Sequence, residues 1–356
     1  MTKAEINLLK KICEVPGAPG FEQKVREVVL REVKGHVDEV SIDNMGNVSA
    51  IIRGSEKTKK GERRKRAMIG AHMDEIGFIV SHIGEDGFLR FHTLGGFDPK
   101  TLTAQRVIVH GKKDMIGVMG AKPIHVMTSD ERNKAPKITD YWIDMGMPKK
   151  EVEKYISVGD PITRDRALIE MGNCVNCKSI DNRVSVYILI QTLKAIKKPK
   201  YDIYGVFTVQ EEIGLRGAEV AALEVQPDFG FGLDTTIAYD VPGASPHEKI
   251  TEVGKGTAIK IMDARTVCDY RMVEFMKKTA KKHKIKWQPE LLPAGGTDTA
   301  PIQRNVSGGS IAGAVSIPTR HIHTVIEMAS KSDIDASTKL LTRCLEELHT
   351  YNWDFK

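Results

Sequence analysis

The chain has 356 residues, of which 41% are hydrophobic, 53 are Lys or Arg and 47 are Asp or Glu. This composition excludes collagen, coiled-coil and intrinsically disordered proteins, and the length predicts several domains or one large domain with an insertion. The formal net charge of +6 is too small to predict binding to nucleic acid, and much of it comes from the basic run 57–66.

The sequence also makes a prediction about cellular compartment. The N-terminal residues contain no apolar run followed by small residues, so no secretory signal is predicted. No stretch approaches the roughly 18 apolar residues of a membrane-spanning helix. Five cysteines, an odd number, indicate free thiols in a reducing compartment. We therefore predict a cytoplasmic protein with no membrane partner.

The first half of the chain predicts two helices followed by strands. Apolar residues recur at helical spacing on both sides of the breaker PGAPG at 16–20. The segment 36–54 is strand-like with a turn that contains Asn and Gly, and the basic run 57–66 after it fits a solvated hairpin tip. From 81 to 163, short β segments broken by Gly and Asp predict a small β-barrel or sandwich.

Beyond Ile180, helical and strand-like segments alternate. Alternation of this kind predicts an α/β layer with a mostly parallel sheet. The last helix is expected to start at Ser332 as N-cap and to place Leu340, Leu341 and Leu345 on one face. The simplest architecture is one α/β domain interrupted by a β-rich insertion.

Acids and histidines concentrate in five segments near the ends of predicted strands. The segments are AHMDE at 71–75, SIDNR at 179–183, VQEEIG at 209–214, GLDTT at 232–236 and RHIH at 320–323. Functional groups of open α/β sheets gather where strands end, so these five segments predict a site.

Each segment also has a simpler interpretation. His72 and Asp74 would point to the same face of a strand, as metal ligands or as a satisfied buried pair. Glu211 and Glu212 could both reach one site only if the chain turns there, and otherwise they would be solvated. Asp181 could be a helix N-cap. Spacing does not decide between the two histidines of RHIH.

The combined donor set is more informative than any single segment. Two histidines and three acidic oxygen donors suit zinc or cobalt better than magnesium. Five ligands exceed what one catalytic zinc takes, but they serve two metals if one carboxylate bridges. Two divalent cations, three carboxylates and one hydroxide then balance in charge, and the hydroxide is a nucleophile at neutral pH.

At this point the sequence resembles the TET-type di-metal aminopeptidases, also called deblocking aminopeptidases and in some cases labelled endoglucanases. The resemblance runs through nearly the whole chain. It rests on the order and spacing of GAPGFE, GAHMDEIGF, SIDNR, VQEEIGLRGA, GLDTTIAYDVPG, GGTDTA and SIPTRHIHT.

The resemblance implies a role for each matching residue. The implied metal ligands are His72, Asp181, Glu212, Asp234 and His323, with Asp181 as the bridge. Glu211 would be the general base, Asp74 would orient His72, and the bond from Asp181 to Asn182 would be cis. Thr297, Asp298 and Arg320 would contact the substrate. His321 stands where the family has a tyrosine, and Thr299 stands where a small residue is more usual.

The resemblance also implies the fold and assembly. The fold would be α/β, with a mixed, mostly parallel sheet flanked by helices as in di-zinc exopeptidases, and with an inserted small β-barrel. Residues 1–75 and 165–356 would form the catalytic domain, and 76–164 a dimerisation domain. Dimers would assemble into a tetrahedral dodecamer that cleaves short peptides with two zinc or cobalt ions per chain.

Two other functions remain open at this stage. A related amidohydrolase, acting on N-acyl groups or like a carboxypeptidase, could use the same cluster, because the metals would polarise any amide carbonyl. A catalytically inactive self-assembling or binding member is the other alternative. Cys174 and Cys177 form a single CxxC without a second pair, which is a weak signal for a zinc site.

Overall fold

A computed structural model describes residues 1–355 of the chain. It contains an eleven-stranded mixed sheet with helices on both faces and a closed six-stranded barrel. The strands are β1 (Glu39–Ile42), β2 (Val48–Ile52), β3 (Arg66–His72), β4 (Gly77–Ile83), β5 (Leu89–Leu94), β6 (Arg106–His110), β7 (Asp114–Gly120), β8 (Trp142–Asp144), β9 (Pro161–Arg164), β10 (Ile169–Met171), β11 (Cys174–Cys177), β12 (Asp202–Thr208), β13 (Phe229–Ile237), β14 (Thr257–Met262), β15 (Trp287–Leu291), β16 (Ile311–Arg320) and β17 (Glu327–Ser330).

The helices fall mostly outside the barrel segment. They are α1 (Lys3–Glu14), α2 (Gln23–Val33), α3 (Ser129–Arg132), α4 (Lys149–Val152), α5 (Ile180–Ala195), α6 (Arg216–Val225), α7 (Tyr270–Lys282), α8 (Thr299–Arg304) and α9 (Lys331–Glu347). Five short 3-10 helices cover Pro99–Leu102, Ile124–Val126, Ile138–Asp140, Pro246–Glu248 and Leu348–Thr350. None of the helices among residues 1–355 is long and apolar enough to cross a membrane.

The main path of the sheet runs β1-β2-β12-β3-β13-β16-β17-β11-β10, and β14 and β15 branch off β16. The central strands β12, β3, β13 and β16 are parallel, whereas the strands at both margins of this path pair antiparallel. The central strands are apolar on both faces because helices cover both sides. The predicted mixed sheet is confirmed, and its parallel pairings lie mainly at the centre.

Side chains of the central strands alternate between two cores. Ala67 and Ile69 of β3 belong to the larger core, together with residues of α1, α2, α5, α7 and α9. Met68 faces the opposite side, where it packs with Ala222 of α6 and Ile302 of α8. This alternation with a period of two is the geometry of a strand buried on both faces.

The barrel is formed by strands β4 to β9 in the order β4-β5-β8-β7-β6-β9. Its core contains Phe78, which stacks on Phe97 at a ring-centroid distance of 4.4 Å. All six strands lie within the predicted insertion 76–164. The division of the chain into a catalytic and a dimerisation domain at these boundaries stays a prediction.

Two local expectations are wrong in detail. The basic run 57–66 is not a hairpin tip, because β12 lies between β2 and β3 in the sheet. The last helix begins at Lys331 with Ser330 as N-cap, whose hydroxyl accepts the Ser332 amide, instead of beginning at Ser332. A nearby second serine makes the two N-cap positions hard to distinguish by sequence.

Candidate metal centre

Six side chains with metal-ligand chemistry meet at one edge of the sheet, where the parallel strands end. They line one cavity and are His72, Asp181, Glu211, Glu212, Asp234 and His323. His72 is the last residue of β3, Asp234 lies in β13 and the two glutamates follow β12. Carboxyl ends of parallel strands meet at the same edge, so residues distant in the sequence become neighbours.

The first ligand set consists of His72, Asp181 and Asp234, all three of which are buried. Their donor atoms lie within 4.8 Å of one another. The Nε2 atom of His72 is 3.4 Å from Oδ1 of Asp181 and 3.8 Å from Oδ1 of Asp234. These three donors therefore surround one point at which a cation could bind.

The second ligand set consists of Asp181, Glu212 and His323. The Nε2 atom of His323 is 3.5 Å from Oδ2 of Asp181 and 3.4 Å from Oε2 of Glu212. Asp181 belongs to both sets and turns a different oxygen toward each histidine. This is the arrangement of a bridging carboxylate. The bond between Asp181 and Asn182 is cis.

The two adjacent glutamates reach the same cavity because the chain turns directly after β12. Gln210 has a φ of 54° and Gly214 a φ of 122°, and the Gly214 amide donates to the Glu211 carbonyl over 2.9 Å. Neighbouring residues of a straight strand would point in opposite directions. The positive φ of Gly214 is a conformation that glycine adopts without steric cost.

The carboxylate of Asp74 holds this turn in place. Its two oxygens accept hydrogen bonds from the backbone amides of Glu211 and Glu212, each over 3.1 Å. The Nδ1 atom of His72 is 3.1 Å from the Asp74 carbonyl oxygen and 3.4 Å from its Oδ1 atom. Asp74 thus contacts His72 and also fixes both glutamates.

Burial and crowding shift the pKa values of the acids in this cluster. Burial raises the pKa of Glu211 well above its ordinary value, and repulsion from Asp234 and Glu212 adds to the shift while His72 opposes it. Burial likewise raises the pKa of Glu212 to about 7 and that of Asp234 well above its usual range. Buried carboxylates this close together resist ionisation, and divalent cations beside them would favour the charged form.

The pKa values of Asp181 and His323 are shifted in the directions that favour their charged forms. Burial opposes the charged form of Asp181, but hydrogen bonds from His323 and His72 outweigh it and hold the Asp181 pKa below its usual range. Burial also opposes the charged form of His323, yet Asp181 and Glu212 raise its pKa to about 9. Asp181 is therefore the acid that stays ionised most easily, which suits a bridging ligand.

A family model described as M42 glutamyl aminopeptidase matches residues 46–340. The chain belongs to this M42 peptidase family. It is accordingly a hydrolase that acts on peptide bonds.

Relatives of this M42 peptidase match nearly its whole length. It is 37% identical to a putative aminopeptidase of Acetivibrio thermocellus over 95% of this chain and 98% of that protein. It is 34% identical to the lysyl aminopeptidase of Pyrococcus furiosus, with 96% of each chain covered. The expected resemblance to aminopeptidases is therefore confirmed.

Solved structures support the same fold. A TET aminopeptidase from the marine sediment archaeon Thaumarchaeota archaeon SCGC AB-539-E09 has a TM-score of 0.92 at 34% identity, covering 97% of this chain and 96% of that one. The TET1 peptidase of Pyrococcus horikoshii, which can assemble into a tetrahedron or a large octahedral shell, has a TM-score of 0.85 at 28% identity, covering 96% and 99%. The α/β fold with an inserted barrel is thus confirmed.

The three predicted substrate contacts of the M42 peptidase lie in different surroundings. Thr297 lines the cavity. Asp298 is 2% exposed and accepts a hydrogen bond of 2.5 Å from the Thr208 hydroxyl, so it supports the site from behind. Arg320 donates to both carboxylate oxygens of Asp240 over 2.6 and 2.5 Å. Substrate contact by these three residues stays a prediction.

The two departures from the family pattern also have defined positions. His321 is exposed and belongs to neither ligand set. Thr299 is buried, and its Oγ1 atom would lie 1.8 Å from a Cβ atom added to Gly232. The start of α8 therefore packs directly against β13, and only glycine fits at position 232.

Sequence reasoning missed two buried acids beside the M42 peptidase centre. Glu22 accepts hydrogen bonds from the amides of Gly20 over 2.8 Å and Gln210 over 3.1 Å, and burial and Asp74 raise its pKa to about 7. Glu327 accepts the amides of Asp181 and His323. Burial and the nearby charge of Asp181 raise the pKa of Glu327 well above its ordinary value, and the charge of Arg164 opposes this shift. Glu327 is an acid among apolar neighbours at the start of a short strand. This was the only local feature of the sequence that could have indicated a role for it.

Proposed function

We propose that this protein removes N-terminal residues from short peptides, with two divalent ions, zinc or cobalt, and Glu211 as general base. The observation that carries the proposal is the pair of ligand sets that share Asp181. One set would hold one ion through His72 and Asp234, and the other would hold the second ion through Glu212 and His323. Membership of the M42 family supports the class of reaction.

The donor chemistry fits two such ions. Imidazole and carboxylate donors suit zinc and cobalt, and three protein ligands for each ion leave positions open for water and substrate. Glu212 fits as well, because its Oε1 atom is buried and has no hydrogen-bond partner among residues 1–355. When bound, the two ions would polarise the scissile carbonyl and lower the pKa of water.

The position of Glu211 supports its role as the general base. It lines the cavity but belongs to neither ligand set, and its Oε2 atom is 3.7 Å from Nε2 of His72. Burial raises its pKa, so the carboxylate can take a proton from the attacking water and hold it at its own oxygen. It would then deliver this proton to the amine that leaves.

The first prediction is that Glu211→Gln abolishes turnover without releasing ions. Gln keeps the shape of the side chain but cannot accept the proton, so kcat should fall by about 10² to 10⁴. We would measure kcat with aminoacyl p-nitroanilides and the ions per chain by elemental analysis. Glu219→Gln, at an exposed position on α6, is the matched control and should leave both values unchanged. Wild-type turnover in the Glu211→Gln variant would contradict the assignment.

The reaction is an aminopeptidase reaction only if a free N-terminus is required. A peptide and its N-acetylated form distinguish this activity from removal of acyl groups by the same centre. We expect cleavage of the free peptide alone, and loss of that cleavage after chelation. Preferred cleavage of the acetylated peptide would instead favour the amidohydrolase alternative.

We further propose that the protein is a homo-oligomer in which the barrel forms the dimer contact. Strand β7 exposes Ile116 by 62% and Val118 by 45%, and Ile124 and Val126 follow with 60% and 63%. Apolar side chains exposed together in one segment are typical of a protein contact. Assembly of dimers into a dodecamer is the finer form of this proposal, supported by the assemblies of the Pyrococcus horikoshii protein.

The cytoplasmic location remains part of the proposal. All five cysteines are free, and four of them are buried. Thiols that stay reduced are the rule in reducing compartments. A cytoplasmic enzyme of this kind would act on peptides released by other proteases.

A further inference from the structure

Glu327, the first residue of β17, lies directly behind the candidate metal centre. It is only 1% exposed, and each of its carboxylate oxygens accepts one backbone amide. Oε2 accepts the amide of Asp181 over 2.9 Å, and Oε1 accepts the amide of His323 over 3.0 Å. Both donors belong to residues of the second ligand set.

The two amides come from elements that are far apart in the chain. Asp181 opens α5, and His323 lies in the turn between β16 and β17. One carboxylate therefore fixes the separation between the bridging ligand and the terminal histidine. Two hydrogen bonds to one buried side chain thus connect the element of Asp181 to the turn of His323.

The turn that carries His323 needs such support. His321 has a φ of 61° and His323 a φ of 63°, which is the left-handed region that residues other than glycine seldom adopt. Conformations of this kind persist when the surrounding structure determines them. The hydrogen bond from the His323 amide to Glu327 holds the backbone of His323 in this conformation.

The first ligand set does not depend on Glu327 to the same degree. His72 is held by the carbonyl of Asp74, and Asp234 lies within the central strand β13. The Asn182 side chain donates to the Leu233 carbonyl over 2.9 Å and ties the start of α5 to that strand. Within this set, Glu327 accepts the backbone amide of Asp181 alone.

We propose that Glu327 is a positioning residue that sets the geometry of the second ion site, formed by Asp181, Glu212 and His323. This inference rests on the proposed two-ion function. Without Glu327 the side chains of all five ligands remain, but His323 and Asp181 lose their common anchor. The first ion should then bind as in the wild type, and the second should bind more weakly.

The test replaces Glu327 by Gln, which has the same shape but only one acceptor oxygen. One of the two backbone N–H groups then faces the side-chain NH₂ group of Gln, which cannot accept its hydrogen bond. Metal-free full-length protein is titrated with Zn²⁺ by calorimetry, and the number of ions and both Kd values are fitted. We expect two ions in the wild type and a 10- to 100-fold weaker second Kd in the variant, the range given by loss of partners behind metal ligands.

Asp333→Asn is the matched control. Asp333 is also buried and accepts two backbone amides, from Gly254 over 2.6 Å and Gly256 over 2.9 Å, but it holds a loop without ligands. We expect this variant to bind both ions like the wild type. An equal loss of the second ion in both variants would overturn the proposal, because the effect would then come from general loosening.

Two further measurements keep the test decisive. Thermal unfolding of the metal-free proteins checks that the variant is folded, and if Glu327→Gln does not fold, Glu327→Asp replaces it. The shorter acid keeps two acceptor oxygens and should bind the second ion more tightly than Glu327→Gln does. When Co²⁺ is added instead, the visible spectrum of the variant should differ from that of the wild type only in the part that arises from the second ion.

The outcomes separate this inference from the proposed function. Two ions of wild-type affinity in Glu327→Gln would refute the role of Glu327, while the two-ion function stands. A wild-type protein that binds no ions would refute both. A wild-type protein that binds two ions and cleaves peptides, with a weakened second site in the variant, would support both.

Discussion

At the scale of single residues, Arg265 is the charged side chain of the cavity wall that lies outside the metal cluster. It lines the cavity and is exposed, and its backbone amide donates to Asp263 over 2.9 Å. No carboxylate among residues 1–355 pairs with its guanidinium. A free guanidinium in this position should attract the carboxylate of an acidic N-terminal residue.

We therefore predict that glutamyl p-nitroanilide is cleaved more efficiently than the leucyl or lysyl compound. Arg265→Gln should lower kcat/KM for the glutamyl substrate by about 10- to 100-fold, the value of one charge-assisted hydrogen bond, and leave the leucyl value unchanged. Arg304→Gln, at an exposed position on α8, is the control. A preference for lysine that survives in Arg265→Gln would contradict the prediction.

The sequence predicted the residues that meet in the two candidate sets better than it predicted their surroundings. All five predicted residues lie in the two sets. His72 ends β3, and Glu212 and His323 follow β12 and β16, so the apolar strand before each of these three is a local signal. Arg265 and Glu327 carried no comparable signal. Their importance depends on which residues of distant elements face them, and this is decided by tertiary packing.

At the scale of elements, Arg183 connects the first helix to the segment that follows His72, between β3 and β4. It is fully buried in α5 and donates to the carbonyls of Ile12 over 2.8 Å and Val15 over 2.6 Å, at the C-terminal end of α1. Its Nη2 atom is 3.3 Å from Oε1 of Glu75, which also pairs with Lys178. The carbonyls at the end of a helix have no partner within the helix, and here Arg183 provides one.

Arg183→Lys should therefore destabilise the protein although the charge is kept. An ammonium cannot reach these acceptors at once as the planar guanidinium does, so we expect a loss of about 2 to 3 kcal/mol from unsatisfied buried acceptors. Unfolding in urea measures this loss. The same change at Arg343, which pairs on the surface with Glu346, should cost less than about 0.5 kcal/mol. Equal effects at both positions would contradict this role.

The order of the strands could not be predicted from the sequence. β2 and β3 follow each other in the chain with a basic run between them, which is why the sequence predicts a hairpin. In the sheet β12 lies between them, and it joins β2 antiparallel and β3 parallel. The pairing of β3 with β12 joins residues that are far apart in the chain, so no local sequence pattern predicts it. The turn between β1 and β2 is local, and its Asn and Gly residues predict it.

At the scale of the whole molecule, the barrel presents the apolar surface that we assign to self-association. Ile116→Asp should weaken the oligomer because a carboxylate would be buried without a partner in the contact. Light scattering would give the mass relative to the 39.5 kDa chain. Leu223→Asp on α6, at a side chain that is 60% exposed, is the control and should leave the mass unchanged. An unchanged mass for Ile116→Asp would move the contact elsewhere.

The spread of the ligands along the chain has a consequence for synthesis. The candidate ligands run from residue 72 to residue 323, and strands β3, β13 and β16 must pair before their donor atoms meet. A chain still being made on the ribosome therefore cannot assemble both proposed ion sites until residue 323 has emerged. A peptidase activity that depends on both sites would be absent from any shorter nascent chain.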